Sequence, residues 1–137
     1  MDTKEVIITL LKSCSYVYES LVRALKPHGI SLQQFNVLRI LRGHKGKAAN
    51  LSTVQELMVN KMSNTTRLID KLIDKNLVKR TICVENRRKI ELFITEKGEG
   101  FLTVLDPIVD SAQEKIIQKL KPDEKSNLTE LLNKLLK

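Results

Sequence analysis

The stretch LSTVQELMVNKMSNTTRLIDKLIDKNLVKR, residues 51–80, decides the fold. Near its start, Ser52 and Gln55 have the spacing of a helix capping box, and the apolar pattern that follows predicts a helix of about two turns. A second helix is predicted from Ser63, because apolar residues then recur at three- and four-residue steps. Asn76 stands where a helix commonly ends in a left-handed residue. Two short helices joined by a tight turn are typical of a helix-turn-helix.

The first turn of the second helix is polar and cationic, although a helix packed on a core needs only one polar face. In a helix-turn-helix this turn enters the major groove of DNA, so its side chains must be unburied. Arg67 can make a two-pronged contact to guanine, and nearby lysines can contact phosphates. The predicted DNA-contacting residues of this helix and its approach are Lys61, Ser63, Asn64, Thr65, Thr66, Arg67, Lys71 and Lys75. The alternative is a surface helix with the ion pairs Arg67–Asp70 and Lys71–Asp74.

From Val78 to Thr95 the apolar period changes from about 3.6 to 2, which predicts two short strands around a polar turn. Arg87 and Arg88 lie at that turn. A basic β tip can enter the minor groove of DNA, where narrow A·T-rich stretches have enhanced negative potential. The alternative is a charged tip that protects an exposed sheet edge.

Longer helices flank this centre. Residues 3–26 and 31–43 read as amphipathic helices, the second with a capping box at Ser31. Thr95 can cap a long helix, and Pro122 suits the first turn of a last helix. The element order therefore predicts a mainly α fold, a winged helix-turn-helix with a two-stranded β wing, in a single domain of 137 residues.

The net charge of +8 is concentrated in the middle of the chain. Residues 39–97 hold 14 Lys and Arg against 6 Asp and Glu, whereas the two flanks nearly cancel at +1 and −1. A basic centre between near-neutral ends indicates a module that binds a polyanion, held by a scaffold. A solvated, lysine-rich surface is the alternative.

At residues 51–80, and again at ENRRKIELFITEKG (residues 85–98), the chain resembles the MarR family of bacterial transcription regulators, and the resemblance covers nearly all of it. It implies a homodimer on a near-palindromic double-stranded DNA operator, with repression that a small-molecule effector or an oxidant relieves. Residues 30–97 would be the DNA-binding module, and residues 1–29 and 98–137 the dimerisation helices. By position, residues 63–67 match the recognition helix, Arg87 and Arg88 match the wing, and Ser52 and Thr53 match the helix start that approaches the phosphate backbone.

Two positions depart from the family pattern. The family usually has aspartate before its wing arginines, where this chain has Asn86. Asparagine holds an arginine less firmly than a charge-assisted pair does, so we expect a looser wing. Asn76 replaces a glycine, and we expect that change to be mild.

The terminal helices carry more apolar residues than one small core needs, which independently favours a dimer, because obligate interfaces resemble a core cut in half. These residues are Leu10, Leu11, Val104, Ile108, Ile116, Ile117, Leu131, Leu132, Leu135 and Leu136.

Other kinds of site are not indicated. Cys14 lies on the apolar stripe of the first helix, where a buried free thiol is commoner than a redox sensor. His28 and His44 lack partners at metal-ligand spacing, so no metal is expected. We recognise no catalytic set and no phosphate loop, so we predict neither an enzyme nor a cofactor. A ligand pocket is implied by the resemblance, but the sequence does not locate it. Tyr16, Tyr18, Phe35 and Phe101 could line such a pocket, although each is more consistent with the core.

The prediction is a sequence-specific DNA-binding transcriptional regulator, a ligand-responsive repressor. Two alternatives remain: a winged-helix adaptor for an acidic protein partner, and a thiol-based redox switch through Cys14. No apolar run has the length of a membrane span, and no signal peptide is evident, so a cytoplasmic location is expected.

Overall fold

A computed structural model describes residues 2–44, 46–82, 84–85 and 89–137. The chain forms six α-helices and one two-stranded sheet in these residues. The helices are α1 (Thr3–Leu25), α2 (Leu32–Gly43), α3 (Leu51–Leu57), α4 (Thr65–Asp74), α5 (Glu96–Ile117) and α6 (Pro122–Leu136), and the strands are β1 (Val78–Ile82) and β2 (Ile90–Ile94). A 3-10 turn, Lys26–His28, follows α1. The predicted winged helix-turn-helix fold is confirmed.

Polar caps set the helix starts of the helix-turn-helix. The capping box of Ser31 and Gln34 at α2 is present as predicted. The predicted cap at Ser52 is wrong, because the N-cap of α3 is Asn50, two residues earlier. Asn50 has an extended backbone there, and its Oδ1 accepts from the Thr53 amide at 2.7 Å. An asparagine in that conformation satisfies the first free amides, which leaves Ser52 inside the helix.

The wing is an antiparallel pair in which Val78 lies opposite Ile94 and Ile82 lies opposite Ile90. A third segment, which the sequence reading missed, joins the sheet edge: Ala49 and Leu92 exchange backbone hydrogen bonds of 3.2 and 2.7 Å. The loop before α3 is thereby tied to the wing. Cys83, Asn86, Arg87 and Arg88 lie outside the described residues, so the predictions for the wing tip stay predictions.

The hydrophobic core lies beneath the helix-turn-helix and the wing. Its buried residues come mainly from α2, α4, the strands and the first half of α5. In contrast, α1 contributes only Leu25, and α6 contributes no buried residue. The terminal helices therefore extend away from the core of the single chain. None of the described helices has the length and apolar character to cross a membrane.

Two side-chain contacts fix α5 to the helices and strands before it. Thr95 caps α5 as predicted, and its hydroxyl also donates to the Asn76 carbonyl at 2.7 Å. Asn76 has φ 62°, the left-handed conformation expected of it. Arg42 of α2 forms a two-pronged ion pair with Asp106 of α5, at 2.6 and 3.2 Å. Hydrogen bonding to Arg42 lowers the pKa of the Asp106 carboxyl below its ordinary value, and the same bond raises the pKa of Arg42.

Candidate nucleic-acid interface

The N-terminal end of α4 presents a polar, cationic surface, while the helix body packs inward. Ile69 and Leu72 are buried on the core side. Thr66, Arg67 and Lys71 are exposed. A shallow hollow of about 290 Å³ lies on this surface, and its lining includes Asn64, Arg67 and Lys71. Two polar residues of this first turn, Thr66 and Arg67, are therefore exposed, as predicted.

The Arg67 side chain is exposed and is not held by a carboxylate of the described residues. The predicted alternative, ion pairs within α4, does not form. Asp70 instead contacts Arg80 of the wing at 3.3 Å, and among the described residues Arg67 has no carboxylate within ion-pair distance. Its guanidinium is thus available to an external acceptor. Its backbone amide donates to Asn64 Oδ1 at 3.2 Å, so the helix start beneath it is capped.

Asn64 serves as the N-cap of α4. The carbonyl oxygen of its side chain is occupied by the Arg67 amide, which leaves the side-chain NH₂ group as the free donor. The helix starts at Thr65, two residues after the predicted start at Ser63.

The prediction that Thr65 is unburied is wrong. Its side chain is 2% exposed, and its hydroxyl donates to Gln55 Oε1 of α3. Gln55 Nε2 in turn donates to the Lys61 carbonyl at 2.7 Å. One glutamine therefore joins both ends of the turn between α3 and α4. The first helical residue faces the preceding helix, which periodicity along α4 alone does not reveal.

Ser63 also differs from the prediction. The residue is half-buried, and its Oγ is enclosed and has no hydrogen-bond partner in the described part of the chain. Lys61, in the same turn, is exposed as expected. The turn thus offers Lys61 to a phosphate but keeps the Ser63 hydroxyl inside.

Lys75 lies at the opposite end of α4 from the other predicted DNA contacts of this helix. Its ammonium donates to the Gly29 carbonyl at 2.7 Å, and Lys97 Nζ donates to the Lys75 carbonyl at 3.1 Å. Since an α-helix rises about 1.5 Å per residue, the ten residues of α4 place Lys75 roughly 15 Å from the first turn. The structure does not bring Lys75 together with Arg67.

The start of α3 is accessible beside this surface. Ser52 is exposed, and Thr53 is half-buried with its hydroxyl donating to Asn50 Oδ1 at 2.9 Å. Ser52 is therefore free to contact a phosphate, whereas Thr53 already has a local partner.

Comparison of the sequence and the fold with known proteins identifies a family. The model of the MarR family matches residues 30–90. A MarR transcription factor from Planctomyces limnophilus is 32% identical; the match covers 97% of this chain and 96% of that one, with a TM-score of 0.74. The chain belongs to the MarR family. Since the family consists of DNA-binding transcriptional regulators, this chain is one also.

One further relative and one structural neighbour of this MarR-family chain are informative. The transcriptional repressor MprA of Escherichia coli K12 is 26% identical over an alignment of 137 positions, which covers 97% of this chain and 77% of that protein. BpsR of Bordetella bronchiseptica, whose DNA binding is regulated by 6-hydroxynicotinic acid, has the same fold. The TM-score is 0.87 at 20% identity, over 98% of this chain and 96% of that one.

A cavity of about 200 Å³ lies between α1, α2 and the turn after α3 of this MarR-family chain. Tyr18 and Phe35 are among its lining residues, and the Tyr18 hydroxyl accepts from Gln33 Nε2 at 3.1 Å. Gln33 and Asn60 line both this cavity and the hollow beside Arg67. The two spaces therefore share a wall.

The remaining predicted residues divide between core and surface. Phe35 is buried as expected, and Phe101 packs half-buried against the core. Tyr16 and Tyr18 are exposed, so the prediction that they belong to the core is wrong. Cys14 is exposed as well, which contradicts the expectation of a buried thiol. All three lie on α1, whose apolar stripe faces outward in the single chain.

Proposed function

We propose that this regulator is a homodimeric repressor that binds a near-palindromic operator and is released by a small-molecule effector. The DNA-reading assignment rests on the position of Arg67. It is exposed on the first turn of a capped helix, and no carboxylate of the described residues pairs with it. A guanidinium in that position can form the two-pronged contact that distinguishes guanine from other bases.

The other proposed DNA contacts are assigned mainly from the exposure of their side chains. Thr66 and the NH₂ group of Asn64 accompany Arg67 at base edges, and Lys61 and Lys71 contact phosphates. Thr65 and Ser63 have a different role, because their hydroxyls are enclosed: they position the turn. The remaining proposed contacts are Ser52 and Thr53 on the phosphate backbone and Arg87 and Arg88 in the minor groove.

The dimer is supported by the apolar surface of the terminal helices. Leu11, Leu131 and Leu135 are 63%, 59% and 66% exposed. None of the ten residues that the sequence assigned to an interface is buried in the single chain. Covering such residues is favourable at roughly 25 cal/mol per Å² of apolar area. We propose that α1, α6 and the second half of α5 pair with a second copy, which sets two recognition helices about 34 Å apart on DNA.

The dimer is tested by substituting Leu131 and Leu135 together with Asp. Sedimentation velocity of the wild type should show a dimer of about twice the chain mass, and the double variant should sediment as a monomer. Lys134→Glu, a charge change on the same helix, is the matched control and should remain dimeric. A wild type that sediments as a monomer at micromolar concentration would exclude this assembly.

Release by an effector is supported by the wall that the 200 Å³ cavity shares with the hollow beside Arg67. A ligand that displaces Gln33 or Asn60 would move the turn that holds the recognition helix. The regulation of BpsR by a small aromatic acid is consistent with this proposal.

The DNA-binding assignment is tested by the salt dependence of binding to DNA that flanks the protein's own gene. Roughly 6–10 phosphate contacts predict a slope of log affinity against log salt of about −5 to −9. Lys71→Gln should make the slope less steep by roughly 2, one contact from each protomer. Lys12→Gln removes the same charge from exposed α1 and should leave the slope unchanged. A flat response of the wild type would instead favour an adaptor for an acidic protein.

A further inference from the structure

Met62 is an apolar side chain on an otherwise polar and cationic surface. It lies in the turn between α3 and α4, two residues before the N-cap Asn64, and it is 92% exposed. Met62 lines the hollow of about 290 Å³ beside Arg67. Among the described residues that line this hollow, the other apolar side chain is Leu68, which is half-buried. The hollow therefore presents one apolar group fully to solvent, next to the predicted base-reading arginine.

The backbone of the turn is held on both sides of Met62. The Met62 amide donates to Asn60 Oδ1 at 3.0 Å, and the next amide, that of Ser63, donates to the Asn60 carbonyl at 3.2 Å. On the other side, the Lys61 carbonyl accepts from Gln55 Nε2 at 2.7 Å. A side chain on a backbone that is already fixed loses less freedom when it binds. The exposed methionine is therefore presented at a defined position on the surface.

The major groove of DNA offers one apolar group that suits such a side chain. The N-terminal turn of a recognition helix enters this groove, and thymine presents its C5-methyl group there. The other groups on the base edges are hydrogen-bond donors and acceptors, which a thioether, itself only a weak acceptor, matches poorly. The unbranched methionine side chain has three rotatable bonds, so it can adapt its shape to a protruding methyl group.

We propose that Met62 contacts the C5-methyl group of a thymine in each half-site of the operator, near the base that Arg67 reads. This inference rests on the proposed DNA-binding function and adds a base preference to it. Covering one methyl group corresponds to roughly a fourfold gain in affinity, so a homodimer with two such contacts gains roughly fifteenfold. If Met62 were an ordinary exposed apolar residue, it would contribute no preference for thymine.

The test removes single methyl groups from the DNA. The full chain first selects its operator from a random duplex library. Each thymine of one half-site and its symmetry mate are then replaced by deoxyuridine, which keeps the hydrogen-bonding edge of thymine and lacks only the C5-methyl group. Fluorescence anisotropy at fixed salt measures the affinities. One symmetric pair of replacements should weaken wild-type binding roughly fifteenfold, whereas Met62→Ala should bind the thymine and uracil operators equally.

Two further variants check the assignment to Met62. Met62→Leu keeps an apolar side chain at this position and should retain most of the preference for thymine. Leu57→Ala is the matched control, because Leu57 is 54% exposed at the end of α3 and does not line the hollow. It should discriminate thymine from uracil as strongly as wild type does. Each comparison is between two DNA molecules bound by the same protein, so a variant that folds less well would lose affinity for both equally.

Several outcomes would overturn the inference. A selected operator without thymine in either half-site, or one that tolerates uracil at every position, would exclude the methyl contact and leave the proposed DNA-binding function intact. The same loss of affinity with uracil in wild type and in Met62→Ala would assign the methyl group to another side chain. Failure of wild type to select any operator would instead overturn the proposed function, and this inference with it.

Discussion

Gly98 and Gly100 lie two residues apart near the start of α5, yet alanine should have opposite effects at the two positions. A Cβ on Gly98 would lie 2.7 Å from Ile94 Cγ1 and closer still to the Leu77 carbonyl oxygen. That oxygen already accepts the Thr95 amide at 3.1 Å, so it cannot retreat without breaking a hydrogen bond. A Cβ on Gly100 would meet nothing within 4 Å.

The magnitudes follow from these contacts. Overpacking at Gly98 costs about 1–3 kcal/mol, and loss of the hydrogen bond to Leu77 about 1 kcal/mol more, against a helix-propensity gain of up to about 1 kcal/mol. The net expectation for Gly98→Ala is a destabilisation of about 1–3 kcal/mol. Gly100→Ala meets no such contact, so only the helix-propensity gain remains and the variant should be more stable by about 0.5–1 kcal/mol.

Urea unfolding at a fixed protein concentration measures both free energies, with the concentration held constant because the proposed dimerisation would be linked to stability. The two variants should differ by about 1.5–4 kcal/mol with Gly98→Ala the less stable. Equal stabilities, or a Gly98→Ala variant more stable than wild type with an unchanged denaturant slope, would refute the close contact between α5 and Leu77.

Two further substitutions test the module. Gln55→Ala leaves the buried Thr65 hydroxyl without its partner, so it should cost about 1–3 kcal/mol of unfolding free energy and weaken operator binding. Glu56→Ala changes an exposed neighbour and should alter neither stability nor binding. The reverse pattern would count against the role of Gln55. The pKa of Asp106 is lowered by Arg42, so the stabilisation it gives is present above its unfolded pKa and is lost as pH falls through its folded pKa. The free energy of unfolding of wild type should therefore exceed that of Asp106→Asn by about 1 kcal/mol at pH 7. This difference should disappear in unfolding experiments below about pH 4. A difference that persists there would contradict the ion pair.

Much of the fold was predictable because local sequence determines it. The capping box at Ser31, the cap at Thr95 and the left-handed Asn76 each depend on residues within one turn of the chain. The change of period after Val78 likewise marked the first strand. The alternation of apolar residues specifies a strand whatever packs against it.

The parts that were not predictable depend on contacts between distant residues. Thr65 and Gln55 are 10 residues apart, and Lys75 and Gly29 are 46 apart. Periodicity identifies the apolar side of a helix but not which polar residue the neighbouring helix encloses. Cys14 illustrates the same limit, because an apolar stripe has the same sequence pattern whether it is buried in the core or exposed on the surface.

The most direct test of DNA reading by α4 is selection of binding sites from a random duplex library by wild type and by Arg67→Ala. Wild type should select a near-palindromic site with two half-sites. Arg67→Ala should lose preference at one base pair in each half-site, at a cost of about 1–3 kcal/mol, and keep the rest of the site. The same site selected with the same preference at every position by both proteins would contradict the assignment of Arg67 to a base.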